Sequence, residues 1–426
     1  MISGGLFSSL LGTRQIFKNR EFLRPSYTPE DLPHREDQIR QLAQILAAPL
    51  RGETPSNVFI YGKTGTGKTA TVNFVAKELK KVSDRAPCRV EVVYINCDLV
   101  CTNYRVMATL ANYFIDRAIE KFGKEKVESE GLYERIPMTG WPTDEVFRHF
   151  FKAIDQDRQL AVIVLDEIDK LVLKSGDDVL YNLTRMNSDL SMARVSLVGI
   201  SNDLNFLEYL DPRVRSSLGE EEIVFPPYNA VQLKDILERR AEMSFADGVL
   251  ADGVVSLCAA HAAREHGDAR RALDLLRVAG ELAEREGSER ITVDHVRRAF
   301  EKIEQDKMIE VIRTLPAQSK LVLYSIVLLH ERGGRKIVTG DVYNVYRALC
   351  RQMGLDIMTQ RRVSDLISEL DMMGIINAHI ISKGRYGRTK EISINLQPVQ
   401  ARAALQEDYS LSSIEVLPLP RQLTLA

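Results

Sequence analysis

The densest chemistry in the chain lies in Gly62-Lys63-Thr64-Gly65-Thr66-Gly67-Lys68-Thr69, a G-x-x-x-x-G-K-[ST] arrangement. Glycines at these positions let successive backbone N–H groups turn inward around a phosphate, and a helix that follows adds the positive end of its dipole. Lys68 is then expected to reach the β- and γ-phosphates of a nucleotide, and the Thr69 hydroxyl to ligate Mg²⁺. Further along, the apolar run 160–165 ends in Asp166-Glu167-Ile168-Asp169. Asp166 is expected to hold the magnesium through water, and Glu167 to polarise an attacking water as general base. A third apolar run, 195–200, ends in Ser201-Asn202-Asp203. An amide at Asn202 can orient that water and touch the γ-phosphate without adding charge, although asparagine is also a routine turn residue.

These groups need a scaffold that brings them to one edge. Residues 57–61 (N-V-F-I-Y) read as a buried strand running straight into the glycines, and Val72, Val75, Ala76 and Leu79 mark one face of the helix behind them. With 89–96, 160–165 and 195–200 as further strands, the expectation is an α/β core with a parallel sheet over residues 1–226, the carboxylates at its carboxyl edge. Residues 227–303 read as an all-α lid, with amphipathic spacing over 231–245, 252–265, 269–286 and 293–305. Asn229 and Thr292 suit its N-caps, and Asp268 caps the helix that carries Arg270.

From 304 to 400 the pattern changes. Helical stretches near 317–332, 339–353 and 359–373 precede strands at 375–381 and 391–395, which flank Ser382-Lys383-Gly384-Arg385-Tyr386-Gly387-Arg388-Thr389-Lys390. This is the order of a winged helix-turn-helix. The segment holds fourteen Lys and Arg against ten Asp and Glu, while the whole chain has a net charge of −2, so any nucleic-acid contact must be local. Lys383, Arg385, Tyr386, Arg388 and Lys390 at the wing suit a minor-groove visit. Arg361 and Arg362, at the start of the 359–373 helix, suit phosphates or base edges. Asp365, Glu369 and Asp371 turn its far end away from phosphate. Residues 401–426 are expected to be a poorly ordered or partner-bound tail.

The bulk numbers bound these readings. A chain of 426 residues is long enough for two to four domains, and 45% hydrophobic with 27% charged residues is the balance of a soluble globular protein. No apolar run suits a membrane span. Residues 1–13 read as a flexible start rather than a secretory leader. Five cysteines without a C-x-x-C pair point to reduced thiols and an intracellular chain, not a disulfide framework or zinc site.

The combined motifs resemble a known family. The P-loop, Asp166-Glu167 and a sensor-1 position at Asn202 look like an AAA+ ATPase. Gly267-Asp268-Ala269-Arg270 resembles the G-D-x-R sensor-2 element of the initiator and clamp-loader branch. Leu32-Pro33-His34-Arg35-Glu36 is similar to the adenine-side box of archaeal origin-recognition proteins, and Phe225-Pro226-Pro227-Tyr228 to the start of their lid. On these residues the chain is identified as a member of the archaeal origin-recognition and Cdc-type replication initiators, the resemblance running from about residue 24 to about residue 396. The resemblance implies that Arg270 reaches the γ-phosphate from the lid. It also implies that Pro33, His34 and Arg35 lie on the adenine side, and that Tyr228 and Arg240 close over the nucleotide. It implies ATP or ADP with Mg²⁺ as cofactors and weak ATP hydrolysis used as a switch. Its partners would be double-stranded origin DNA, the replicative helicase and further initiator copies on DNA. No membrane is implied; the expected location is the cytoplasm, at the nucleoid.

One departure concerns the arginine finger. Ser217 stands where a Ser-Arg motif would place arginine, leaving Arg213 or Arg215 as substitutes and stimulation by a like subunit in doubt. The segment from Gly131-Leu132-Tyr133 to Gly140-Trp141-Pro142-Thr143 looks like the initiators' DNA-touching insertion; equally, it reads as a packing insert anchored by Trp141. Two other readings stay open: a clamp-loader-like ATPase acting in a ring, and a winged-helix transcription regulator with a slow ATPase lock.

Overall fold

The apolar runs become a parallel sheet. Strands β1 (Val58–Tyr61), β2 (Arg89–Asn96), β3 (Gln159–Asp166), β4 (Arg194–Ser201) and β5 (Glu221–Val224) lie in the order β2-β3-β4-β1-β5, every neighbouring pair parallel. The interior strand β3 is buried along its whole length, as its unbroken apolar run requires. The register sets Asn96 beside Asp166 and Tyr61 beside Ser201, so all the chemistry-bearing ends share one edge. In this computed structural model residues 16–411 are described, apart from positions 26, 28, 30, 52, 84–88, 101, 130, 133, 134, 334, 335, 383–387, 409 and 410. They divide into two units, 1–296 and 297–426, the division falling within one helix (Val293–Thr314).

In the first unit, helices α1 (Glu36–Leu46) and α2 (Lys68–Ser83) cover one sheet face with Val58, Ile60, Val162 and Val198. Helices α3 (Asn103–Phe122), α4 (Lys124–Ser129), α5 (Thr143–Ile154), α6 (Ile168–Ser175), α7 (Asp178–Arg185) and α8 (Pro212–Leu218) belong to the unit as well. The other face buries Phe59, Val93, Ile163 and Leu197 with α3, α5 and α7. The period-2 alternation of strand side chains sorts these two sets. The segment between β2 and β3 is packed: Asn112 Nδ2 donates to the Ile136 carbonyl (2.9 Å), and the Ile136 N–H returns to Asn112 Oδ1 (2.7 Å). Trp141 packs against the same core with its ring 5.4 Å from His149, which favours the anchor reading; Tyr133 lies outside the described residues.

Helices α9 (Ala230–Ser244), α10 (Val254–Arg264), α11 (Ala269–Arg285) and α12 (Val293–Thr314) follow. Asn229 forms a capping box with Gln232, and Asp268 Oδ1 accepts from the N–H groups of Arg270 (2.8 Å) and Arg271 (3.3 Å). At α12 the Thr292 N–H donates to His295 Nδ1 (3.0 Å). This helix runs to Thr314 rather than stopping at 305, because no breaker interrupts it before Pro316 and Glu304–Lys307 and Glu310–Arg313 pairs extend its polar face. Residues 17–19 also join this unit. The N–H groups of Lys18 and Asn19 donate to the Ser244 carbonyl (2.8 and 3.1 Å), and the Phe17 ring lies 4.9 Å from that of Phe245 in a tilted arrangement.

In the second unit, α13 (Ala317–Glu331), α14 (Thr339–Met353) and α15 (Gln360–Met372) pack with an antiparallel sheet. Strand β6 (Ile337–Val338) is followed by β7 (Ile376–Ser382) and β8 (Arg388–Ile394), in the order β6-β8-β7. Thr359 caps α15 and Gly374 follows its end in a left-handed conformation (φ 74°). The expected tail begins otherwise: α16 (Pro398–Gln406) buries Ala401, Ala404 and Leu405 in this core, and Leu411 joins them. Residues 412–426 lie outside the described residues. Among the described residues no helix is long and apolar enough to cross a membrane. Cys97, Cys258 and Cys350 are free and buried.

Candidate nucleotide site and nucleic-acid interface

The glycines between β1 and α2 are required by close approaches. Gly65 and Gly67 have φ of 69° and 90°, a region that favours glycine. A Cβ on Gly65 would stand 1.7 Å from Asp268 Oδ1, and one on Gly67 2.9 Å from the Tyr228 hydroxyl. The lid is thus seated on the loop, and the Ala269 N–H donates to the Gly65 carbonyl (3.2 Å). Lys68 is buried with its ammonium inside the loop's own cradle. It donates to the carbonyls of Gly62 (2.7 Å) and Lys63 (2.8 Å) and to Asn202 Oδ1 (2.9 Å). Burial pushes its pKa down to about 8, opposed by attraction to Asp166 and reinforced by the nearby Arg270.

Thr69 Oγ1 donates to Asp166 Oδ2 at 2.7 Å, so the two expected metal-side residues meet directly. The other carboxylate oxygen, Oδ1, accepts the Glu167 N–H at 2.9 Å. Glu167 adopts a left-handed conformation (φ 57°), and Lys170 Nζ stands 2.6 Å from its Oε2. Two residues beyond the sequence reading shape this edge. Tyr94 on β2 donates its hydroxyl to Asp166 Oδ2 (2.6 Å), while Asp169 Oδ1 accepts from Ser201 Oγ (3.0 Å) and the Asn202 N–H (3.3 Å). No local sequence signal marks Tyr94, which reaches Asp166 only because the register pairs Asn96, two residues on, with Asp166.

A cavity of about 650 Å³ gathers most of the expected set. Thr64, Gly65, Thr66, Gly67, Lys68, Thr69, Asp166, Glu167, Asn202, Tyr228, Arg240, Arg270 and Pro33 all line it. Arg24 and Tyr27, not foreseen, close its far end, where the Arg240 guanidinium lies 4.5 Å over the Tyr27 ring and donates to the Phe22 carbonyl (3.2 Å). Gly62 and Lys63 serve through the carbonyls that hold Lys68.

His34 and Arg35 do not line the cavity. His34 Nε2 stands 2.8 Å from Asp235 Oδ2 on the lid. Arg35 is 2% exposed and donates to the carbonyls of Thr66 (2.8 Å), His34 (3.1 Å) and Pro226 (2.7 Å), with its guanidinium 3.8 Å over the Tyr228 ring. Of the finger substitutes, Arg213 is held by Asp211 (3.0 and 3.1 Å) and Arg215 is exposed.

The donor chemistry fits a magnesium nucleotide: a loop with room only for glycine, a buried ammonium and an oriented hydroxyl–carboxylate pair. Among the described residues no three His, Cys, Asp or Glu side chains converge as a metal cage. Magnesium needs none, since it keeps several waters and takes one or two carboxylates plus phosphate oxygens.

In the second unit, Arg361 and Arg362 are exposed at the start of α15, and Arg362 pairs with Glu369 (3.2 Å). Lys390 is turned onto that helix, donating to the Ser364 carbonyl (3.2 Å) and to Ser368 Oγ. Lys383, Arg385 and Tyr386 lie outside the described residues, as does the side chain of Arg388.

Comparison with known proteins follows the same partition. Residues 31–198 match an AAA ATPase domain, 234–301 the Cdc6 AAA+ ATPase-type lid domain and 310–404 the CDC6 C terminal winged helix domain. An ORC1-type DNA replication protein of Pyrococcus abyssi is 60% identical over 97% of this chain and 96% of its own. One of Methanosarcina mazei is 59% identical over 96% and 95%. The solved structure of the Aeropyrum pernix ORC1 protein in complex with DNA is 48% identical, with a TM-score of 0.72 over 94% of this chain and 99% of that one. With an AAA+ core, a Cdc6-type lid and a winged helix in one chain, this protein belongs to the archaeal ORC1-type/Cdc6 family of DNA replication initiators.

Proposed function

We propose that this initiator binds ATP or ADP with Mg²⁺ in the P-loop cavity and holds duplex origin DNA through its winged helix. The observation that carries the nucleotide half is the convergence of Lys68, Thr69–Asp166, Asn202 and Arg270 on one cavity roofed by the lid. Lys68 takes the β- and γ-phosphates, Thr69 and Asp166 hold the magnesium, and Arg270 meets the γ-phosphate from the lid. The ion supplies charge neutralisation at the phosphates when bound. Glu167 polarises the attacking water as general base once Lys170 releases it, Asn202 orients that water, and Tyr228, Arg240 and Pro33 enclose the nucleobase. Hydrolysis is slow and serves as a switch.

Arg361 and Arg362, with the wing residues Lys383, Arg385, Tyr386 and Arg388, meet the duplex; Lys390 supports the wing. Functional domains run over 1–226, 227–303 and from 304 onward, the last extending past 400 to include α16 and Leu411, which pack into its core. The partners are origin DNA, further initiator copies and the replicative helicase, in the cytoplasm at the nucleoid. The DNA half is supported by the likeness to an ORC1 protein solved with DNA.

The test is selection of genomic fragments by the purified protein at physiological salt, with sequencing of what is retained. Recovery of a few intergenic loci with inverted repeats is expected. Uniform recovery, or retention of scattered promoters, would overturn the origin reading.

A further inference from the structure

Tyr94 has no part in the sequence motifs, yet it touches the site. It stands on β2, the edge strand beside β3, and is 41% exposed, so core packing does not account for its orientation. Its hydroxyl donates to Asp166 Oδ2 at 2.6 Å, the same oxygen that accepts Thr69 Oγ1 at 2.7 Å. Oδ1 accepts the Glu167 N–H at 2.9 Å. A carboxylate offers about four lone-pair positions. Three are therefore taken, by donors from β2, from α2 and from the turn after β3, and one on Oδ1 remains. An Asp side chain held only by Thr69 and its neighbouring N–H keeps freedom to rotate about its terminal torsion, which is broad. The donor from β2 removes that freedom.

We infer that Tyr94 is a positioning residue that orients the Asp166 carboxylate for a magnesium–nucleotide complex. The inference rests on the nucleotide reading above. It assigns to the edge strand a supporting contact of the kind that fixes metal ligands elsewhere, where loss of such a partner costs about 10–100-fold in metal affinity or activity. Because Thr69 keeps its own bond to Oδ2, the expected effect is at the low end of that range. Tyr94 does not approach the loop glycines or Lys68 by any hydrogen bond described, so affinity for nucleotide without the metal is not its concern.

The experiment uses the full chain, stripped of nucleotide, and a fluorescent ADP followed by anisotropy. Affinity is measured in chelator and across a Mg²⁺ titration, for the wild type, Tyr94→Phe, Asp166→Asn and the double variant. Tyr94→Phe keeps the ring and removes only the hydroxyl, at a position exposed enough for the fold to tolerate it. Its half-saturating Mg²⁺ concentration should rise about tenfold. Affinity in chelator and ligand-free melting should be unchanged. In the Asp166→Asn background Tyr94→Phe should add nothing, since the group it orients has been replaced. A Mg²⁺ dependence within about twofold of wild type, or an equal loss in the Asp166→Asn background, would overturn the inference while leaving the nucleotide site intact. A wild type that binds no nucleotide with or without Mg²⁺ would overturn the nucleotide reading and the inference together, and tight binding indifferent to Mg²⁺ would overturn the inference alone.

Discussion

Nucleotide affinity should turn downward above pH about 8, the value to which burial pushes the Lys68 ammonium. The ordinary lysine value is 10.5, so the charged form in the empty protein is disfavoured by about 3 kcal/mol relative to water. The folded pKa lies below the unfolded one. Between pH about 8 and 10.5 the unfolded chain therefore binds more protons, and the empty protein gains stability as pH rises through that window. Phosphate oxygens reverse the preference, because their charge favours protonated lysine and raises its pKa in the complex. Affinity is then level below pH about 8 and falls up to tenfold per unit above it. Neighbouring groups leave the window clear: burial pushes the Tyr94 and Tyr228 hydroxyls up, and the Cys97 thiol up to about 12. The assay is fluorescent ADP binding at constant ionic strength from about pH 6.5 to about pH 9.5. Lys68→Arg keeps its charge throughout and should bind more weakly with no break. Arg270→Ala removes a repelling neighbour and should move the break upward. A level wild-type profile, or the same break in Lys68→Arg, would refute the assignment.

Two further substitutions probe the lid and the winged helix. Gly65→Ala places a Cβ 1.7 Å from Asp268 Oδ1 at φ 69°. The left-handed strain of about 1–2 kcal/mol, with about 1 kcal/mol more as the α11 cap is displaced, should lower thermal stability and speed release of bound ADP. Unchanged melting and release would show that the lid does not rest on the loop in solution. Arg361→Ala should weaken duplex binding and reduce the slope of log K against log salt by about one, whereas Lys390→Met, whose ammonium is committed to Ser364 and Ser368, should leave that slope unchanged. Equal slope changes in both would place Lys390 on the phosphate backbone instead.

Local chemistry made much of this legible. The P-loop announces itself because its glycines and lysine are contiguous, and Asn229, Asp268 and Thr359 cap helices because capping is a matter of three or four residues. β5 was missed because it is an exposed edge strand with one buried residue, Ile223, among two glutamates and a valine. β6 is two residues long and exists only by pairing with β8. Most of α16 falls in the expected tail because its buried residues are alanines and a leucine, which carry little apolar signal. Tyr94 and Arg35 depend on long-range register and closure. Nothing in a tyrosine on an alternating strand says which carboxylate lies diagonally across the next strand. The resemblance implies the adenine side for Arg35, yet its neighbours are carbonyls behind the loop.

That position of Arg35 bears on how the site can move. Among the described residues no carboxylate bonds its guanidinium; carbonyls from the loop (Thr66), the box (His34) and the lid linker (Pro226) do so, with the Tyr228 ring against its face. Burial lowers its pKa, but arginine retains its proton, and its planar fork of donors serves three segments at once where lysine would not. The front of the loop is tied to the lid by the Ala269–Gly65 bond and by the contact of Asp268 with Gly65, and the back is tied to the lid linker through Arg35. Any shift of the loop on phosphate must therefore carry the lid with it or break these bonds. Of the three non-glycine residues with positive φ among those described, His34 precedes Arg35 and His266 precedes Gly267 at these joints, while Glu167 follows Asp166 at the sheet edge. Strained backbone persists where surrounding contacts over-determine it. Here the contacts of Arg35, Asp268 and Ala269 converge on the loop, so a displacement of the loop is expected to move the lid with it.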